Sequence, residues 1–146
     1  MSSAFRLEVA SGGLATLTFD SPDRRVNVFD RATLAELESL VSELASRDDL
    51  SCLVLVSTKP KSFIASANVE LIAAVTNAAK TEAKMRLGQQ IFAAWKALPF
   101  PTVTAIASAC LGDSTKLSLA STWQVMANQL ETRIGLPETQ LRIIPA

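Results

Sequence analysis

The chain has 146 residues, of which 49% are apolar and 19% charged, with 14 basic and 14 acidic side chains. That length and apolar content fit one domain with a core of its own and exclude a disordered chain. The balanced charge gives no electrostatic reason to expect nucleic acid or an anionic membrane as partner. There is no His and no Tyr, and the only two cysteines are Cys52 and Cys110. Ser-His-Asp and Cys-His catalysis and imidazole metal sites are therefore excluded, and no metal is expected. Carboxylates, lysines, hydroxyls and backbone N–H groups are left to carry any chemistry.

The first ten residues include Arg6 and Glu8 and no apolar signal core. No run approaches the roughly 20 apolar residues of a membrane span. The expectation is a cytoplasmic protein with reduced thiols. Residues 5–9 and 14–19 read as two strands around the turn Ser11-Gly12-Gly13; Ala15, Leu17 and Phe19 alternate with Leu14, Thr16 and Thr18. A basic loop, Arg24-Arg25-Val26-Asn27-Val28, follows. Asp30 is a candidate N-cap for a helix over 31–46, with Leu34, Leu37, Val41 and Leu44 on one face and Glu36, Glu43 and Arg47 facing away or ending it. The apolar run 52–56 predicts a strand covered on both faces.

A short helix is predicted over 68–75 and a longer one over 80–97, stopped by Pro99 and Pro101. Residues 102–106 read as a β-branched strand, 114–120 as a helix, and 123–127 and 132–135 as extended. Strands alternating with helices define an α/β fold with a partly parallel sheet. Cys52 and Cys110 read as small core hydrophobes.

Four blocks then point to a family. They are Asp20 to Phe29, Ser62 to Val69 (Ser-Phe-Ile-Ala-Ser-Ala-Asn-Val), Pro101 to Leu117 (ending Leu-Gly-Asp-Ser-Thr-Lys-Leu), and Thr132 to Pro145. The chain resembles the crotonase (enoyl-CoA hydratase/isomerase) superfamily. Within that family it is most similar to the hydratase/isomerase half of fatty-acid oxidation multienzymes. The family motifs read Phe-x-Ala-Gly-Ala-Asp-Ile/Val in the second block and Leu-Gly-Gly-Gly-x-Glu-Leu in the third. In the fourth they read Pro-Glu-x-x-Leu-Gly.

The resemblance implies a crotonase-like ββα spiral core in which residues 1–146 form one partial domain lacking the C-terminal helical cap. It implies an acyl-CoA thioester as small-molecule partner, with coenzyme A as part of the substrate and no separate cofactor. Two backbone amides would form an oxyanion hole, carried over here to Ala65 and Asp113. Two carboxylates would hold and split a water, carried over to Lys116, where the family has Glu, and to Glu138, which is retained. Ser66, Ala67 and Asn68 fall in the substrate-binding turn. Arg24 and Arg25 are candidates for CoA phosphates, against the plain alternative of a solvated basic turn.

Lys116 reads as a salt-bridge partner of an acid such as Asp113 rather than as a catalytic amine. A lysine and an aspartate in place of Glu and Gly imply impaired or absent catalysis. Two other readings stay open: a single-glutamate isomerase using Glu138, and a non-catalytic assembly module. A core without its cap implies exposed apolar surface, hence self-association or docking to a family homologue.

Where the family has glycine, this chain has Ser66, Ser108, Asp113 and Ser114; where it has aspartate and glutamate, Asn68 and Lys116. Each exchange is one G-to-A step in a codon. We hypothesise a history of such changes, which codons needing two steps at these positions would contradict.

Overall fold

A computed structural model describes residues 3–65 and 78–138. The elements run β1 (Phe5–Val9), β2 (Leu14–Phe19), α1 (Arg31–Ala45), β3 (Cys52–Ser57), β4 (Ser62–Ile64), α2 (Ala78–Lys96), β5 (Thr102–Ile106), β6 (Ala109–Leu111), α3 (Asp113–Ala120), β7 (Trp123–Met126) and β8 (Arg133–Gly135). The helix predicted over 68–75 lies outside the described residues. The two three-residue strands β4 and β6 are additions to the sequence reading.

β1 and β2 form an antiparallel hairpin that pairs Phe5 with Phe19 and Val9 with Ala15. The turn needs glycine: Gly13 has φ +80°, and a Cβ there would lie 2.5 Å from the Asp49 carbonyl oxygen. β2, β3, β5 and β7 then run parallel, so the large sheet has the order β1-β2-β3-β5-β7. A second, parallel sheet has the order β4-β6-β8.

α1 starts where its cap chemistry places it. The Thr33 amide donates to Asp30 Oδ1 at 2.9 Å, and the Asp30 amide donates back to Thr33 Oγ1 at 2.9 Å. Leu34, Leu37, Val41 and Leu44 are buried in one cluster with Ala15, Leu17, Phe19, Leu53 and Leu55 of the large sheet and with Ile91 and Trp95 of α2. Burial of each such aliphatic side chain is worth roughly 1.5–3 kcal/mol. Trp95 satisfies its indole by donating to Ser121 Oγ at 2.9 Å, and that oxygen lies 2.7 Å from Thr104 Oγ1. Glu36 does not simply face away: its carboxylate accepts the amides of Ala4 and Phe5, each at 3.1 Å, and the Ser3 hydroxyl, tying down the first strand.

The sequence expectation for β3 needs correction. Leu53 and Leu55 are buried, but Val54 and Val56 are only half-buried. They share the other face of the sheet with Trp123 and Val125, which are 65% and 58% exposed. Among the described residues the buried side chains of α1 and α2 belong to the opposite face. Cys52 is likewise half-buried on this open face, whereas Cys110 is the core hydrophobe expected.

Candidate active site

The small sheet carries four of the residues named from the sequence at or just beyond its strand ends. Its strands are parallel, Ile64 beside Cys110 and Cys110 beside Ile134, with one register shift between Ser62 and Ile64, so their carboxyl ends share one edge. Ligands of parallel α/β sheets bind beyond such edges. Here that edge carries Ala65 after β4, Asp113 and Lys116 after β6, and Glu138 after β8.

Local chemistry fixes the turn between β6 and α3. Gly112 has φ 63° and ψ −124°, a backbone conformation for which glycine is suited. It reverses the chain directly into α3. The Gly112 amide donates to the Gly135 carbonyl at 3.0 Å. Thr115 Oγ1 lies 2.8 Å from the carbonyl oxygens of both Cys110 and Gly135 and accepts the Gly135 amide at 3.3 Å. The end of β8 is thereby stitched to the first turn of α3, which delivers Glu138 to Lys116. Ser114, a serine in the glycine-rich turn of the family, is fully buried and donates its hydroxyl to the Leu111 carbonyl at 2.8 Å. The turn accommodates it without an orphaned polar atom.

Lys116 Nζ lies 3.0 Å from Asp113 Oδ1 and 3.3 Å from Glu138 Oε1. The three side chains are shielded: 21% exposed for Lys116, 36% for Asp113 and 14% for Glu138. Glu138 Oε2 is buried and has no hydrogen-bond partner among the described residues. An ammonium offers three donors and no acceptor, so Lys116 cannot share the holding of a water with Glu138 as a second carboxylate would. It binds instead one oxygen of the Glu138 carboxylate. The cluster carries two negative charges and one positive.

The amides divide differently from the sequence expectation. The Ala65 N–H donates to the Asn27 carbonyl at 2.7 Å and is thereby committed, so it does not stand as a free oxyanion donor. This is the bridge that joins Val28 to Ala65. Asp113 is the first residue of α3. A helix leaves its first-turn amides without intrahelical acceptors, and the Asp113 N–H is one of these. Ser66, Ala67 and Asn68 lie outside the described residues.

The basic loop sits beside this edge because Asn27 holds it there. Asn27 is fully buried; its Oδ1 accepts the Ser21 amide at 2.7 Å, and its Nδ2 donates to the Phe19 carbonyl at 2.7 Å and to Ser57 Oγ at 2.9 Å. The sequence reading placed Asn27 in the loop without a role; an asparagine between apolar residues was the available signal. Arg24 is ion-paired with Asp30 at 2.7 Å and half-exposed, and Arg25 is exposed. Among the described residues no cluster of carboxylates and cysteines has metal-holding geometry, and no helix is long and apolar enough to cross a membrane.

The two-sheet ββα arrangement is the crotonase fold. It superposes on enoyl-CoA hydratase from Mycobacterium smegmatis with a TM-score of 0.87 at 18% identity, covering 99% of this chain and 55% of that one. The corresponding values for enoyl-CoA hydratase from Bacillus anthracis are 0.85 and 24%, covering 98% of this chain and 54% of that one. The sequence is 34% identical over 142 residues to the fatty acid oxidation complex subunit alpha of Vibrio campbellii, which covers 97% of this chain and 20% of that subunit. No family model matches the chain. The chain thus has the crotonase fold and is similar in sequence to one segment of that subunit. It spans about a fifth of that curated relative and just over half of those solved structures.

Proposed function

We propose that this domain binds an acyl-CoA thioester at the carboxyl edge of β4, β6 and β8 and does not hydrate it. One observation carries the reading: Lys116 Nζ lies between Asp113 Oδ1 and Glu138 Oε1, at 3.0 and 3.3 Å. The arrangement offers a polar sheet edge, the first-turn amides of α3 and a neighbouring basic loop, so a thioester and its phosphates have groups to meet. It removes the second carboxylate that a concerted addition of water requires. Cytoplasmic residence belongs to the same proposal and fits the two free thiols. So does a protein partner, either a second copy or a family homologue.

Incubation with a short 2-enoyl-CoA followed by gel filtration and mass analysis tests this. The thioester is expected to co-elute with the protein unchanged. A 3-hydroxyacyl-CoA product, or no co-elution, would overturn the proposal. The unpartnered Oε2 of Glu138 favours one further reading, proton transfer between two carbons by a single carboxylate. Conversion of a 3-enoyl-CoA to the 2-enoyl isomer that disappears in Glu138→Gln would establish it.

A further inference from the structure

Lys116 is a primary amine at the edge proposed for the thioester, and neither binding nor hydration uses that chemistry. It stands in the first turn of α3, three residues after Asp113, and the ion pair between them places both side chains on one side of the helix. The free amides of α3 belong to the same turn. A thioester carbonyl held by those amides is within the sweep of the four-carbon lysine stem.

The surroundings supply what an amine needs to become a nucleophile. Glu138 Oε1 lies 3.3 Å from Nζ, in position to take a proton from it. Asp113 Oδ1, at 3.0 Å, holds the side chain in place. Lys61 and Lys96 lack this setting. Both are exposed, Lys61 enters β4 from the opposite edge of the small sheet, and Lys96 ends α2.

We propose that Lys116 is a self-acylation site, to which a bound acyl thioester transfers its acyl group. The proposal rests on the ligand reading above. One proton passes from Nζ to Glu138 Oε1 and from there to solvent. The freed amine attacks the thioester carbonyl, the C–N bond forms and the C–S bond breaks. The departing sulfur takes the second Nζ proton. The products are an amide on Lys116, free coenzyme A and one released proton, with no oxidant or further reactant. Holding a nucleophile beside its target raises its effective concentration to as much as about 10⁵–10⁸ M. A small part of that factor sets Lys116 apart from lysines that meet the thioester only from solution. The amine is free only after its proton has moved, so the step runs over hours and happens once per chain. It leaves the rapid co-elution of unchanged thioester as expected above. The amide carries no charge, so acylation removes both ion pairs.

The test is incubation of the full chain with butyryl-CoA for several hours, followed by peptide mass analysis. A saturated acyl group adds neither water nor an amine across a double bond, so the added mass reports acyl transfer alone. Lys116 is expected to gain a single butyryl group at least about tenfold faster than Lys61 or Lys96. Its rate should saturate with butyryl-CoA, and excess free coenzyme A should slow it while leaving the two exposed lysines unaffected. Lys116→Arg keeps the cation and should still co-elute with butyryl-CoA, with no acyl mass beyond that of the exposed lysines. Co-elution of butyryl-CoA with a wild-type chain whose Lys116 labels no faster than Lys61 and Lys96 would overturn this proposal and leave the ligand reading standing. Absence of co-elution, with labelling equal at all three lysines, would overturn both.

Discussion

Lys116 holds two carboxylates that come from different parts of the chain, and the character of the site follows from that one side chain. Its pairing with Asp113 is legible in the sequence, because residues three apart on a helix face each other. Its pairing with Glu138 is not; it depends on Thr115 and Gly112 stitching β8 to α3, and only the family resemblance aligned the two positions beforehand. The commitment of the Ala65 amide was equally hidden, since a peptide hydrogen leaves no mark in a residue string. A double-mutant cycle on Lys116→Gln and Glu138→Gln, read by urea denaturation, is expected to give a coupling energy of about 1 kcal/mol, at the upper end for exposed pairs because these are shielded. A coupling of zero would mean that Lys116 does not hold Glu138. Asn27→Ala removes the partners of the Ser21 amide, the Phe19 carbonyl and the Ser57 hydroxyl together. A loss of about 2–3 kcal/mol is expected in the same measurement.

Among the elements, those with a clear period were read well. The alternation of β2 and the cap and apolar stripe of α1 each encode their structure locally, because several side chains repeat the same instruction. β4 and β6 are three residues each. That is too short for a period to show, and their partners define them. The apolar run of β3 was ambiguous in a different way: it records that both faces avoid water, and the second covering need not come from the same chain. The α1 cap makes a prediction with a sign. The hydrogen bond from the Thr33 amide, aided by the Thr33 hydroxyl and Arg24, holds the Asp30 carboxyl below the ordinary aspartate value of 3.8. A carboxyl held low contributes stability above its unfolded pKa and loses it as pH falls through its folded one. Asp30→Ala is therefore expected to cost about 1 kcal/mol at neutral pH. In thermal melts the difference from wild type should shrink as pH drops below 3.8. A pH-independent difference would contradict the assignment.

At the scale of the whole molecule, the chain has the crotonase fold, and two features set it apart. Its large sheet presents an apolar face that no described helix covers, and its site holds a lysine between acids. The first was expected from the resemblance in general terms, although the place of the bare surface, on β3, β5 and β7, came only with the register of the strands. The second bears on the proposed function: the first-turn amides of α3 lie at the strand ends, and a lysine stands between Asp113 and Glu138.

Isothermal titration of a short 2-enoyl-CoA into the wild-type protein reads both halves of this account at once. It should give saturable heats that return to baseline after each injection, the signature of binding without turnover. A sustained heat after each injection that disappears in Glu138→Gln, or no heat of binding at all, would contradict it.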